Sequence, residues 1–233
     1  VVYEMNVRQY TPEGTLTAAA RELPRLRELG VDVVWLMPVY PIGVKERKGT
    51  LGSYYAISDY EAVNPEFGTL EDFDRFVADA HRLGLRVILD WVANHTSRDA
   101  RWIAGKPASW YERDASGEPA VPWDWTDTAK LDYANRDVWE AQTAAMEFWI
   151  ARHAVDGFRC DMAMLVPIEF WQYAAARLRR VKPDLFLLAE AEQRNLFDDG
   201  VFDACYGWEM HHLLNDVAQQ RVRVTALRDW LRA

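Results

Sequence analysis

Short apolar runs rich in β-branched residues alternate with stretches of helical period along the whole chain, and this alternation limits the folds open to it. Residues 1–3 (Val-Val-Tyr) open as a strand. Residues 16–29 carry Leu16, Leu23, Leu26 and Leu29 at helical spacing up to Gly30, a stop signal, with Pro24 marking a kink or a late start. The continuous run 31–37, closed by Pro38, reads as a strand buried on both faces. Thr69 and Asp72 resemble a capping box with Asp in place of Glu. Behind them Leu70, Phe73, Phe76, Val77, Ala80 and Leu83 form one helical stripe that stops at Gly84. Strand 86–92, helix 137–153, strand 157–161, helix 168–181 before Pro183, strand 185–189, a weaker strand 201–206 and helix 215–232 complete the series.

Parallel strands need helical crossovers, so alternating units predict an α/β fold around a parallel sheet. An open doubly wound sheet and a (β/α)₈ barrel both satisfy this. No Gly-rich dinucleotide fingerprint follows a strand, whereas ionisable residues cluster at strand C-terminal ends, where barrels place their chemistry. The expectation is a TIM-type (β/α)₈ barrel of which this chain holds the first six β/α units. Between His95 and Asn135 lies a long stretch of little periodicity that contains Trp102, Trp110, Tyr111, Trp123, Trp125 and Tyr133. Loops longer than ~12–15 residues are usually functional or disordered, and so many aromatic residues predict a small folded lobe over the barrel mouth.

Composition narrows the function. Half of the 233 residues are apolar, which is ample for a core. The 27 basic and 36 acidic residues give a net charge of −9, and the basic ones are scattered, which argues against nucleic acid as a partner. No apolar run approaches the ~18 residues of a spanning helix, so no membrane partner is expected. Two cysteines, Cys160 and Cys205, are too few for a disulfide scaffold or a closed zinc site and favour a cytosolic over a periplasmic setting. An opening on Val1-Val2 without Met is expected of a processed or trimmed chain.

The strand ends carry the candidate chemistry. Asp90, Asn94 and His95 follow the third strand in DWVANH, Arg159 and Asp161 the fourth in GFRCD, and Glu190 the fifth in LLAEAE. Tyr55 lies after the second strand in GSYYAISDY. Arg159 and Asp161, two apart on a strand, share a face, and the expectation is that Arg159 keeps Asp161 ionised, as a nucleophile requires. Glu190, at the end of an apolar run, is suited to donating a proton. Two carboxyl groups ~5–5.5 Å apart would serve retaining glycoside hydrolysis, although a structural ion pair looks the same in sequence.

DWVANH, GFRCDMA and LLAE, in that order and spacing, resemble the first three signature regions of the α-amylase superfamily, glycoside hydrolase family 13. GSYYAISDY with NPEFGT resembles its segment after the second strand, and VVYEMNVRQYTPEG its first strand. The resemblance implies a retaining enzyme for α-glucosidic linkages of α-glucans or maltooligosaccharides, a hydrolase or a transglycosylase. Asp161 would be the nucleophile and Glu190 the general acid and base. Arg159 would orient Asp161, supported by Asp90, while His95 would hydrogen-bond the sugar and Tyr55 stack on it. Residues 1–96 would be the first part of the barrel, 97–135 the inserted B domain and 136–233 the barrel continued.

Two departures from the family pattern follow. The family's calcium is held by an Asn, here Asn94, and an aspartate that Lys130 replaces in the matching stretch Ala129-Lys130-Leu131-Asp132. An ammonium cannot ligate a hard cation, so no calcium or other cofactor is expected. The family's third carboxylate, in an Asn-His-Asp type motif, has no counterpart after Glu190, so the chain is expected to be part of a longer catalytic domain. A non-catalytic scaffold binding carbohydrate or a protein is the alternative, and an unrelated metal-dependent barrel would need a His/Asp cluster that the sequence lacks. Of the remaining candidates, Glu192 lies past the motif, Cys160 points away from its neighbours, His211 and His212 read as ordinary helix residues, and His81 and His153 read as partners of helix C-terminal carbonyls. Oligomeric state is left open.

Overall fold

The computed structural model describes residues 1–193, 195–198 and 200–232. Strands β1 (Val2–Met5), β2 (Val33–Leu36), β3 (Arg86–Trp91), β6 (Gly157–Cys160), β7 (Phe186–Ala189) and β8 (Ala204–Cys205) form one sheet. A separate two-stranded antiparallel ribbon joins β4 (His95–Ser97) to β5 (Thr128–Lys130), with His95 opposite Lys130. Every pairing in the large sheet is parallel, and its order is β1-β2-β3-β6-β7-β8. That order decides between the two α/β architectures. A doubly wound sheet reverses its strand order at a switch point, whereas a barrel adds strands in one direction only. Here each new strand joins the same side, giving the curled half of a TIM-type barrel.

The helices are α1 (Val7–Tyr10), α2 (Leu16–Ala20), α3 (Leu23–Glu28), α4 (Leu70–Arg82), α5 (Arg101–Gly105), α6 (Arg136–His153), α7 (Ile168–Val181), α8 (Asn195–Asp198), α9 (Trp208–Ala218) and α10 (Thr225–Trp230). In α4 both halves of the capping box form: Thr69 Oγ1 accepts from the Asp72 N–H, and the Asp72 carboxylate accepts from the Thr69 N–H at 2.8 Å. Its Phe73, Phe76, Val77 and Ala80 are buried as the stripe requires. The helix expected over residues 16–29 is two helices, α2 and α3, because Pro24 sits in the first turn of α3, where a missing N–H costs nothing. The helix expected over 215–232 is likewise α9 and α10, and the strand expected over 201–206 shrinks to Ala204–Cys205.

Gly157 opens β6 because nothing larger fits: a Cβ there would lie 1.9 Å from the Phe186 carbonyl oxygen on β7. The main core lies between the sheet and its helices and includes Trp91, Trp149, Trp171, Phe73 and Phe158, all fully buried. Residues around the ribbon have a small core of their own in Trp110, Tyr111, Ala129, Leu131 and Val138. Among the described residues no helix is long and apolar enough to cross a membrane.

Candidate active site

Register brings the ionisable groups together. Asp90 on β3 stands beside Arg159 on β6, while Asp161 and Glu190 follow the ends of β6 and β7. Arg159 is 4% exposed and serves all three carboxyl groups. Its Nη1 donates to Asp161 Oδ1 at 2.9 Å and to Asp90 Oδ1 at 2.9 Å, and its Nη2 pairs with Glu190 Oε2 at 2.9 Å. Nε donates to the Tyr206 hydroxyl at 3.2 Å, and the guanidinium carbon lies 4.9 Å from the Trp35 ring centroid. A planar fork with five donors is the side chain suited to holding several carboxyl groups in fixed relation.

One cation facing three carboxyl groups leaves the cluster short of positive charge. Burial pushes the Asp90 carboxyl up to about 7, with Arg159 pulling it back. Burial and then the Asp90 charge hold Asp161 well above the usual carboxylate range, and Arg159 opposes both. Arg159 thus favours the charge on Asp161, as expected, while removal from water opposes it. Burial works against the charge on Arg159 too, but Asp90 and Asp161 more than offset it and keep the guanidinium protonated. Burial lowers His95 to about 4, so its imidazole is neutral near pH 7.

Arg159, Asp161 and Glu190 line a cleft of about 330 Å³ with Lys48, Ser53, Tyr55, His95, Trp125, Asp127, Thr128 and Met162, and Asp90 lies buried behind them. The Tyr55 hydroxyl donates to Asp90 Oδ2 at 3.3 Å, leaving its ring as cleft wall. His95 Nδ1 lies 3.2 Å from the Asn94 amide nitrogen, and its ring faces Trp125 at 5.2 Å. The six residues singled out in the sequence thus converge on one place. Several others escaped that reading. Trp35 donates to Asp90 Oδ2 at 3.1 Å, and the Met162 N–H donates to Glu190 Oε2 at 2.8 Å from a left-handed backbone with φ of 43°. Lys48 Nζ donates to the Asp124 carbonyl at 2.7 Å and stands 4.0 Å from Asp127 Oδ1. Asp127 is buried, and its Oδ2 has no hydrogen-bond partner among the described residues.

The other candidates fall outside the cleft. Glu192 is exposed and accepts the Glu209 N–H at 2.8 Å, and Cys160 is buried in the main core. His81 and His153 pair with Asp156 at 2.7 Å and Asp74 at 2.6 Å, not with helix carbonyls as expected. His211 bonds Asn215 one turn on, and no metal-ligating cluster occurs among the described residues. At the place where the resemblance implies calcium, Lys130 Nζ pairs with Glu112 at 2.7 Å. That donor set does not fit a hard cation, which needs oxygen ligands around it.

A family model described as the catalytic domain of α-amylase matches residues 5–125, just over half of the chain. The chain belongs to the α-amylase family. Its fold superposes on a solved α-amylase from Lactobacillus plantarum with a TM-score of 0.91 and 37% identity, covering 100% of this chain and 58% of that one. A noncanonic maltogenic α-amylase from Thermotoga neapolitana gives 0.91 and 36%, covering 100% and 55%. An alpha-1,4-glucan:maltose-1-phosphate maltosyltransferase of Arcanobacterium haemolyticum is 36% identical over 199 residues, 76% of this chain and 28% of that protein. A similarly named protein of Salinibacter ruber is 35% identical over 82% of this chain and 32% of its own length. The chain therefore spans about a third of these curated relatives.

Proposed function

We propose that this chain carries the catalytic carboxyl groups of an enzyme that cleaves α-glucosidic linkages of α-glucans or maltooligosaccharides with retention. Asp161 attacks the anomeric carbon and forms a covalent glycosyl ester, while Glu190 gives its proton to the departing glycosidic oxygen. Glu190 then takes a proton from water or from an acceptor hydroxyl, which attacks the same carbon and releases Asp161. The first acceptor gives hydrolysis and the second gives transfer, so relatives named as amylases and as maltosyltransferases both accord with one site.

The observation that carries the reading is the shared guanidinium. Asp161 and Glu190 sit on its two terminal nitrogens, at 2.9 Å each, within one open cleft. This makes the two carboxyl groups near neighbours, as a retaining pair must be. Asp90 and Tyr55 fix Arg159 from behind, and neutral His95 offers a ring nitrogen to a sugar hydroxyl.

The test is release of nitrophenol from an aryl α-maltooligosaccharide by the purified protein, beside Asp161→Asn and Glu190→Gln. Turnover is expected in the parent, falling by on the order of 10⁴-fold in Asp161→Asn and 10²–10⁴-fold in Glu190→Gln. Parent turnover no faster than that of Asp161→Asn would overturn the assignment.

A further inference from the structure

The aromatic side chains between His95 and Asn135 divide into two groups. Trp110 and Tyr111 are buried in the small core, and Trp102 and Tyr133 pack against it. Trp123 and Trp125 take no part in that cluster. Trp125 lines the catalytic cleft. Trp123 is 61% exposed and stands edge-on to Trp125, with ring centroids 4.7 Å apart. It also lines a second cleft of about 320 Å³ with Asn94, Glu112, Lys130 and Leu165.

The backbone supports this presentation. Trp123 has a φ of 50°, a left-handed conformation that a bulky residue adopts rarely. It lies in a turn closed by the Trp125 N–H, which donates to the Pro122 carbonyl at 3.1 Å. Such conformations persist where the surrounding structure holds them, and they cluster at ligand-binding positions. Here the result is a large indole held in solvent beside the catalytic cleft. The Lys130–Glu112 pair at 2.7 Å adds a donor and an acceptor to the same second cleft.

We propose that Trp123 is the stacking platform of an additional glucosyl subsite, so that a glucan seated in the catalytic cleft continues over the Trp125–Trp123 ridge into the second cleft. A catalytic cleft of about 330 Å³ lies at the small end of ligand sites, so a longer chain must leave it, and Trp125 joins it to the ridge. An indole face offers flat apolar area to the C–H face of a pyranose, while Glu112 and Lys130 meet its hydroxyl groups. The subsite confers a preference for long over short substrates. This inference rests on the α-glucan reading above.

The experiment is calorimetric titration of maltose and of maltoheptaose into the Asp161→Asn protein, alone and with Trp123→Ala or Trp123→Phe. Trp123→Ala is expected to weaken maltoheptaose on the order of tenfold and maltose by less than about twofold, with Trp123→Phe recovering most of the loss. Equal maltoheptaose affinity with and without the indole overturns the subsite and leaves the α-glucan reading standing. Equal losses for both sugars place Trp123 in the catalytic cleft and also overturn the subsite. Binding of neither sugar by the Asp161→Asn parent overturns the subsite together with the α-glucan reading.

Discussion

Asp90 shows how a residue can anchor the centre of a charged cluster and still oppose the fold at some pH values. Its carboxyl is pushed up to about 7, first by burial, whereas an unfolded Asp titrates near 3.9. Between those values the folded chain holds a proton that the unfolded chain has released. The Asp90 contribution is thus fully present at the acid end and is lost as pH rises toward 7. Asp90→Asn removes this titration. The stability of the variant relative to the parent is expected to rise between pH 5 and pH 8 by on the order of 1–2 kcal/mol, read from urea unfolding at both values. A difference that does not change with pH would mean that Asp90 stays ionised throughout. Asp90, Arg159, Asp161 and Glu190 were legible in the sequence because an ionisable group closing an apolar run has little choice but to find a partner or a cleft. Lys48 and Asp127 were not. They meet through loops 79 positions apart, and a polar residue in a polar loop carries no local mark of where it will point.

At the scale of elements, helices with their own punctuation were read correctly and those held by tertiary contacts were not. The capping box and stripe of α4 and the Pro183 stop after α7 are local signals, and both helices form as expected. The split of α2 from α3 is marked locally by Pro24, whereas no Pro marks the split of α9 from α10, and a period of 3.6 does not encode it. The ribbon of β4 and β5 is another such case, since its strands are three residues each and far apart in sequence. One element-level constraint is testable directly. Gly157 lets β6 approach β7, and a Cβ there meets the Phe186 backbone, which cannot rotate away as a side chain could. Gly157→Ala is expected to cost about 3 kcal/mol or more in denaturant unfolding, because the strands must separate to admit one methyl group. A cost below about 0.5 kcal/mol, the range of ordinary surface substitutions, would show that the sheet accommodates it.

For the whole molecule, the winding of the sheet governs both where the site forms and where the fold is weakest. Six strands added in one direction gather the ends of β3, β6 and β7 at one mouth, so the ionisable groups of the candidate site come from the middle of the sheet. Strands and crossovers alone left two windings open, and it was the ionisable residues at the strand ends and the motif resemblance that pointed to the barrel winding the sheet order bears out. Burial is distributed accordingly. All four residues of β6 and five of six in β3 are buried, whereas α9 and α10 contain no buried residue. Local opening free energies follow buried apolar contact, so the central strands define the most stable unit and the last two helices the least. Native-state hydrogen exchange is therefore expected to find the amides of α9 and α10 exchanging at least about 100-fold faster than those of β3 and β6. Asp90 and Arg159 sit on the slow side of that divide, whereas Tyr206, which accepts a hydrogen bond from Arg159, stands just before α9. Faster exchange near Tyr206 than near Asp90 would mean that Arg159 keeps its carboxyl partners while its Tyr206 contact opens and closes. Protection of α9 equal to that of β6 would contradict the burial pattern and require another surface to cover these helices in solution.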